Sequence, residues 1–251
     1  MQRVVMLAIL AVLLLGAIGL QQIVAGWRYV LPADAGDLLY VATFDGFVDE
    51  WEQYDGRLNA RISDGSLRLD VGDVISAPFS AASPHFRNFD VRIEAHPVEG
   101  PENNGYGLIF RLQDPDNHYL FMVSSDGYYK VSRRLNGEEK TLSDWIRTDI
   151  VQHGFGGTNW LRVVAYEDRF QFFINGYHVQ LCIPDNPEAE STYFSFREEC
   201  VEGQMKDTLF DDALASGRLG AMARSFDVPG VVVDFDNLVV FGPEIISESD
   251  R

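Results

Sequence analysis

The chain has 251 residues, of which 46% are hydrophobic and 12% aromatic, enough for a sizeable core and too much for disorder. Its formal net charge is −18, and all acidic residues and all basic ones except Arg3 and Arg28 lie from Tyr29 onward. A surface of that sign repels phosphate backbones and anionic headgroups, which excludes a nucleic-acid partner.

Val4 to Leu20 is a run of 17 residues without a charged or polar side chain, preceded by Arg3 and resumed after Gln21-Gln22 as Ile23 to Trp27. About 20 apolar residues span a bilayer as a helix, and Trp27 and Tyr29 sit where interfacial aromatics are expected. The run exceeds a usual signal-peptide core, although Ile23-Val24-Ala25 would serve as a cleavage site. Residues 1–28 are therefore read as a transmembrane anchor or a signal peptide. Either one exports the rest of the chain, and the anchor makes this a single-pass cell-membrane protein with its β-domain on the extracytoplasmic side. Residues 29–37 form a short linker.

From Leu38 the texture is strands and turns. The predicted strands are Leu38–Phe44, Ser66–Val71, Phe89–His96, Gly105–Gln113, His118–Ser124, Tyr128–Arg134, Trp160–Tyr166, Arg169–Ile174, His178–Ile183, Arg218–Arg224 and Val231–Phe241. Asp64-Gly65, Asn104-Gly105, Asp126-Gly127, Asn136-Gly137 and Asn175-Gly176 supply the positive φ of tight hairpins. Many short strands with frequent turns specify an all-β, two-sheet antiparallel sandwich or barrel. Pro97 is expected to end its strand.

Within this domain, residues 38–243, an acidic insertion at 185–212 breaks the rhythm. It holds nine acidic residues against Arg197 and Lys206, together with Tyr193, Phe194, Phe196 and Phe210. Such a segment either packs over a sheet edge or serves as a contact surface. The only cysteines, Cys182 and Cys200, flank or lie in it, and an oxidising compartment permits a disulfide between them. Residues 244–251 are a polar tail.

Phe44-Asp45 with Trp51, Asp64-Gly65-Ser66-Leu67, Phe89 to Glu94, Gly105 to Arg111, His118 to Phe121, Asp126 to Tyr129, Asn159 to Val163, Phe172 to Gly176 and Val233 to Leu238 succeed one another in a telling order. Together they resemble the laminin-G-like and 3-keto-disaccharide-hydrolase-like branches of the concanavalin A-like lectin/glucanase superfamily, over Leu38 to Phe241. The resemblance implies a jelly roll whose first and last strands pair and whose curved face often binds carbohydrate. It implies fold more strongly than activity.

The search for catalytic chemistry is negative. Retaining glycosidases of that superfamily alternate carboxylates along one strand, so that a close pair acts as nucleophile and acid. Here the nearest candidate is Glu94 to Glu99, with pairs such as Glu94 and Asp90 or His96 as the remaining option. The five histidines form no zinc spacing. Hard oxygen ligands suit calcium, and Asp114, Asp116 and Asn117 gather at one turn, but the same residues dominate turns for backbone reasons. No other cofactor is implied.

A saccharide site needs aromatic faces and a few fixed polar groups. Arg111 in the most hydrophobic hairpin, with Tyr119, Tyr129 and Trp145 nearby, is the candidate set. In strict alternation Arg111 shares a face with Gly107 and Ile109, where it pairs internally or faces the groove. The expected function is a membrane-tethered binding module for carbohydrate or a partner protein, not an enzyme. The alternatives are an accessory subunit of a membrane complex using its acidic loop, and a divergent glycoside-processing enzyme.

The anchor reading predicts that the full-length chain stays with membranes through high-salt and carbonate washes. A mature protein whose N-terminal sequence begins at Gly26 would replace the anchor with a cleaved signal.

Overall fold

A computed structural model describes residues 30–46 and 49–244, with Met6 and Gly16 from the N-terminal part. The chain divides into a unit at 1–30 and a second at 31–251. The apolar run read as an anchor lies outside the described residues apart from Met6 and Gly16, as do residues 245–251 of the tail. Among the described residues no helix is long and apolar enough to cross a membrane.

Period-two burial builds the second unit. In Ser66–Val71 the residues Leu67, Leu69 and Val71 are buried while the three between them are only partly so, which is what a strand with one face on a core requires. In chain order the strands are β1 Leu38–Ala42, β2 Leu58–Ser63, β3 Ser66–Val71, β4 Phe79–Ala81, β5 Phe89–Glu99, β6 Asn104–Asp114, β7 Asn117–Val123, β8 Tyr128–Leu135, β9 Glu138–Arg147 and β10 Asn159–Tyr166. Next come β11 Arg169–Ile174, β12 Tyr177–His178, β13 Leu181–Pro184, β14 Tyr193–Phe194, β15 Glu199–Cys200, β16 Gly203–Lys206, β17 Leu209–Phe210, β18 Arg218–Ser225 and β19 Val231–Phe241.

A nine-stranded sheet runs β12-β11-β10-β5-β19-β3-β2, with β1 also on β19 and β17 on β11. A six-stranded sheet runs β4-β18-β6-β7-β8-β9. All pairings are antiparallel, and the first strand pairs with the last, Ala42 opposite Leu238. Between the sheets lies an aromatic core that includes Phe89, Phe110, Phe121, Phe170, Phe172 and Phe235. Asp64-Gly65, Asn136-Gly137 and Asn175-Gly176 all have positive φ at both residues, the backbone that two-residue hairpins need.

Three expectations change. β5 continues through Pro97 to Glu99, since its pairing with β10 ends at Ala95 and Pro97 lies where only β19 still pairs with the strand. β2 and the ten-residue β9 are additions, the latter opening on the charged run Glu138-Glu139-Lys140, which shows no apolar alternation. Asn104-Gly105 starts β6 instead of turning.

The acidic insertion is an edge cover. β13 pairs with β16 and β14 with β15. Its backbone then bonds the open side of β9: Ser191 N–H donates to Thr141 O at 3.0 Å, and Tyr193 N–H to the Asp144 carboxylate at 3.2 Å. Covering that edge removes a template for strand addition. Cys182 and Cys200 are joined, with Cα atoms 5.3 Å apart and a sequence separation of 18. Closing such a loop contributes about 3 kcal/mol in the chain-entropy account.

Arg111 turns inward. Its φ is +47°, and the β6–β7 register slips between Phe110 and Asp114, so a bulge places Phe110 and Arg111 on the core side and Leu112 on the outer face. The side chain is 0% exposed. Its guanidinium donates to Leu214 O at 2.7 Å, to Arg87 O at 3.1 Å and to Glu167 O, and lies 4.5 Å from the Phe170 ring centroid. Burial pushes its pKa down to about 10, still charged at neutral pH.

These bonds tie together the approach to β5, the β10–β11 turn and the approach to β18. Arg111→Ala leaves buried carbonyls without donors, so denaturant unfolding should show a loss of about 3–5 kcal/mol. An unchanged unfolding free energy would show that the three segments hold without it.

Candidate functional site

Two faces of the sandwich are open to ligands, and the outer face of the six-stranded sheet is the more built. Residues that point away from the core on β6, β7 and β18 are apolar: Ile109, Leu120, Met122 and Met222 form a second buried cluster with Phe79 and Trp145 against it. An apolar outer face has to be covered or used. Here side chains reach over it from both rims. Arg224 on β18 pairs with Glu139 on β9 at 3.1 Å, and the Phe226 ring meets Trp145 edge-on at 5.8 Å. Three strands separate β18 from β9, a span of roughly 19 Å in a flat sheet. These contacts close only because the sheet is strongly curved, and the face is a groove. Gly105 leaves room for Phe226, whose ring would sit 3.1 Å from a Cβ there.

Beside Trp145 the groove holds a recess of about 430 Å³ lined by Asn103, Asn104, Ser124, Asp126, Tyr128 and Trp145. One Asp126 oxygen accepts from Ser124 Oγ, and Asn103 Nδ2 donates to Asp227. The other Asp126 oxygen, the Asn103 carbonyl and the Tyr128 hydroxyl have no partner among the described residues. The recess therefore offers acceptors and a hydroxyl around aromatic surface. A second recess of about 250 Å³ lies where Arg224, Glu139, His118 and Arg134 surround Ile109 and Leu120. Burial lowers the His118 pKa.

Of the residues expected at a site, only Trp145 lies on this face. Arg111, Tyr119 and Tyr129 are buried in the sandwich, where no saccharide reaches them. The Tyr119 hydroxyl bonds Asp211, which also accepts from Arg133 at 2.5 Å, and Tyr129 donates to Gln180 O at 2.6 Å. Burial raises the pKa of both tyrosines. Tyr119 anchors the acidic segment to the sheet, and Tyr129 anchors the strand link that leads into it.

At the turn considered for calcium, Asp114 Oδ1 accepts from the Asp116 N–H at 2.9 Å and from Asn117 Nδ2 at 2.8 Å, and Asn117 Oδ1 accepts from the Asn136 N–H. The oxygens hold two hairpins together, and no metal-binding group of three or more acidic, His or Cys residues occurs among the described residues.

The carboxylates weighed for catalysis lie on the outer face of the nine-stranded sheet. Asp90 is held by Arg92 and Arg162. Glu94 accepts from Asn237 at 2.7 Å and lies 3.4 Å from His96.

No protein-family model and no curated protein matches the chain. Solved structures do. The carbohydrate binding module CBM66 from Bacillus subtilis superposes with a TM-score of 0.51 at 15% identity, over 84% of this chain and 99% of that one. A Bacillus subtilis protein of unknown function with a galectin-like fold gives 0.56 at 13%, over 84% and 98%. The likeness is one of fold, an all-β antiparallel sandwich. The GH43 protein BlXynB from Bacillus licheniformis gives 0.53 at 14% identity, and this chain spans 41% of its length.

Asn103, Asp126 and Tyr128 carry no signal of a site in the sequence. Asp126-Gly127 reads first as a turn, and the β8–β9 register, with Tyr128 opposite Arg147, brings it beside Trp145.

Proposed function

We infer that this chain is a carbohydrate-binding module, and that saccharide lies against Trp145 in the recess at Asn103, Asp126 and Tyr128. The observation that carries this reading is the recess itself. It sets aromatic faces, suited to the apolar side of a pyranose, beside acceptors that the protein leaves unused and that hydroxyl groups can fill. The similarity to a carbohydrate binding module and to a galectin-like fold supports it at the level of architecture.

Binding is favoured over catalysis because Asp90 is committed to two arginines, while Glu94 is shared between Asn237 and His96. The apolar run at 4–20 would hold the module at the outer face of a membrane. The acidic insertion, spent partly on covering β9, keeps Phe196 wholly exposed and leaves room for a protein partner as well.

A glycan array probed with the full-length chain, Trp145→Ala and Asp126→Asn tests the assignment. Both substitutions should weaken retention about tenfold or more, and Asp126→Asn should do so with an unchanged melting temperature. Undiminished binding by Trp145→Ala would remove the site. An array without binders, alongside native pull-down of a protein complex, would favour the accessory-subunit reading.

A further inference from the structure

The outer face of the nine-stranded sheet carries a feature that the fold does not require. Arg92 on β5 and Arg162 on β10 stand directly opposite each other in register. Like charges so placed repel and destabilise a sheet. One carboxylate, Asp90, holds both. Arg162 Nε and Nη2 donate to its two oxygens at 2.7 and 2.8 Å, and Arg92 Nε and Nη2 at 3.3 and 2.8 Å. Burial opposes ionisation of Asp90, and the bonds from both arginines outweigh it, so its pKa is lowered.

Aromatic rings back the pair. Arg162 lies 4.5 Å from the Phe173 centroid and Arg92 5.3 Å from that of Phe241. Two cations share one anion here, in a chain whose net charge is −18.

The two Nη1 groups take no part in the Asp90 bonds, and both arginines line a cavity of about 490 Å³. Its other wall is Trp160, two residues from Arg162 on the same face and 45% exposed. Glu94, opposite Trp160 in register, turns its carboxylate to Asn237 and His96. At the rim, Gln152 accepts the Thr158 N–H at 3.3 Å and keeps its own amide donors, and the Thr158 hydroxyl lies 3.0 Å from His96 Nδ1.

We propose that this cavity is a second binding site, for a saccharide carrying a carboxylate: its acid on Arg92 and Arg162, its ring on Trp160 and its hydroxyls at Gln152 and Thr158. A forked guanidinium suits a carboxylate, and an indole suits a sugar face. An inorganic anion would use the arginines and ignore Trp160. A neutral sugar would use Trp160 and ignore the arginines.

Calorimetry on the full-length chain separates these cases, with trigalacturonate, its carboxyl-reduced neutral analogue and sulfate as ligands. The acidic trisaccharide should bind, and the neutral analogue should bind about tenfold more weakly or not at all. Trp160→Ala and Arg162→Gln should each cost about tenfold. Trp160 is exposed, so its replacement tests the site even where Arg162→Gln disturbs the sheet. Trp160→Ala should cost trigalacturonate more than Trp145→Ala does, which keeps this site separate from the recess on the other sheet.

No binding of the acidic trisaccharide, equal binding of the neutral analogue, or sulfate binding as tight as the trisaccharide would each overturn the proposal. Loss on Trp145→Ala without loss on Trp160→Ala would move the acidic ligand to the groove and leave the first site standing.

Discussion

The buried guanidinium of Arg111 is the joint on which one end of the sandwich depends. A charge taken out of water must be met by fixed dipoles, and three backbone carbonyls from three separate segments meet it. Because those carbonyls belong to Arg87, Glu167 and Leu214, satisfying one side chain fixes the approach to β5, the β10–β11 turn and the approach to β18 together. Tyr119 and Arg133 extend the knot to Asp211, so the acidic segment is held by the same network. A β-bulge makes this arrangement possible, since without the slip at Arg111 the cation would face outward beside Ile109.

The two sheets then have different outer faces for physical reasons. The six-stranded sheet curves until its rims touch through Arg224–Glu139 and Phe226–Trp145, which turns an apolar outer face into a groove. The nine-stranded sheet carries charge on its outer face, with Arg68 on Asp234 and the paired arginines on Asp90. Asp90 is buried between its two arginines, and Asp234 is partly buried. The paired arginines matter here because two cations share one anion on a strongly acidic molecule.

The architecture is legible wherever a short run rich in apolar, β-branched and aromatic residues is bounded by Gly, Pro, Asn, Asp or Ser. That covers β3, β7, β8, β10, β11, β18 and β19. The pairing of first and last strands comes from the resemblance, and the Cys182–Cys200 bridge from export. β9 is illegible because an edge strand under an insertion needs no apolar alternation at its charged start. Arg111 is misplaced when strict alternation is carried through a bulge, and nothing in Phe110-Arg111-Leu112 marks one. Trp145 stands out for its aromatic face and lies at the groove. Asp126 and Tyr128 are hidden inside an apparent turn, because the strand that brings Trp145 to them, β9, is itself illegible.

The central claim is that saccharide occupies the curved face of the six-stranded sheet, while the Arg111 knot is structural. Amide hydrogen exchange of the full-length chain, with and without a saccharide it retains, tests this most directly. The account predicts slowed exchange at residues 103–105, 124–128 and 145–147, with no change around residues 87, 167 and 214. Protection confined to the Arg111 segments, or to the acidic insertion alone, would contradict it.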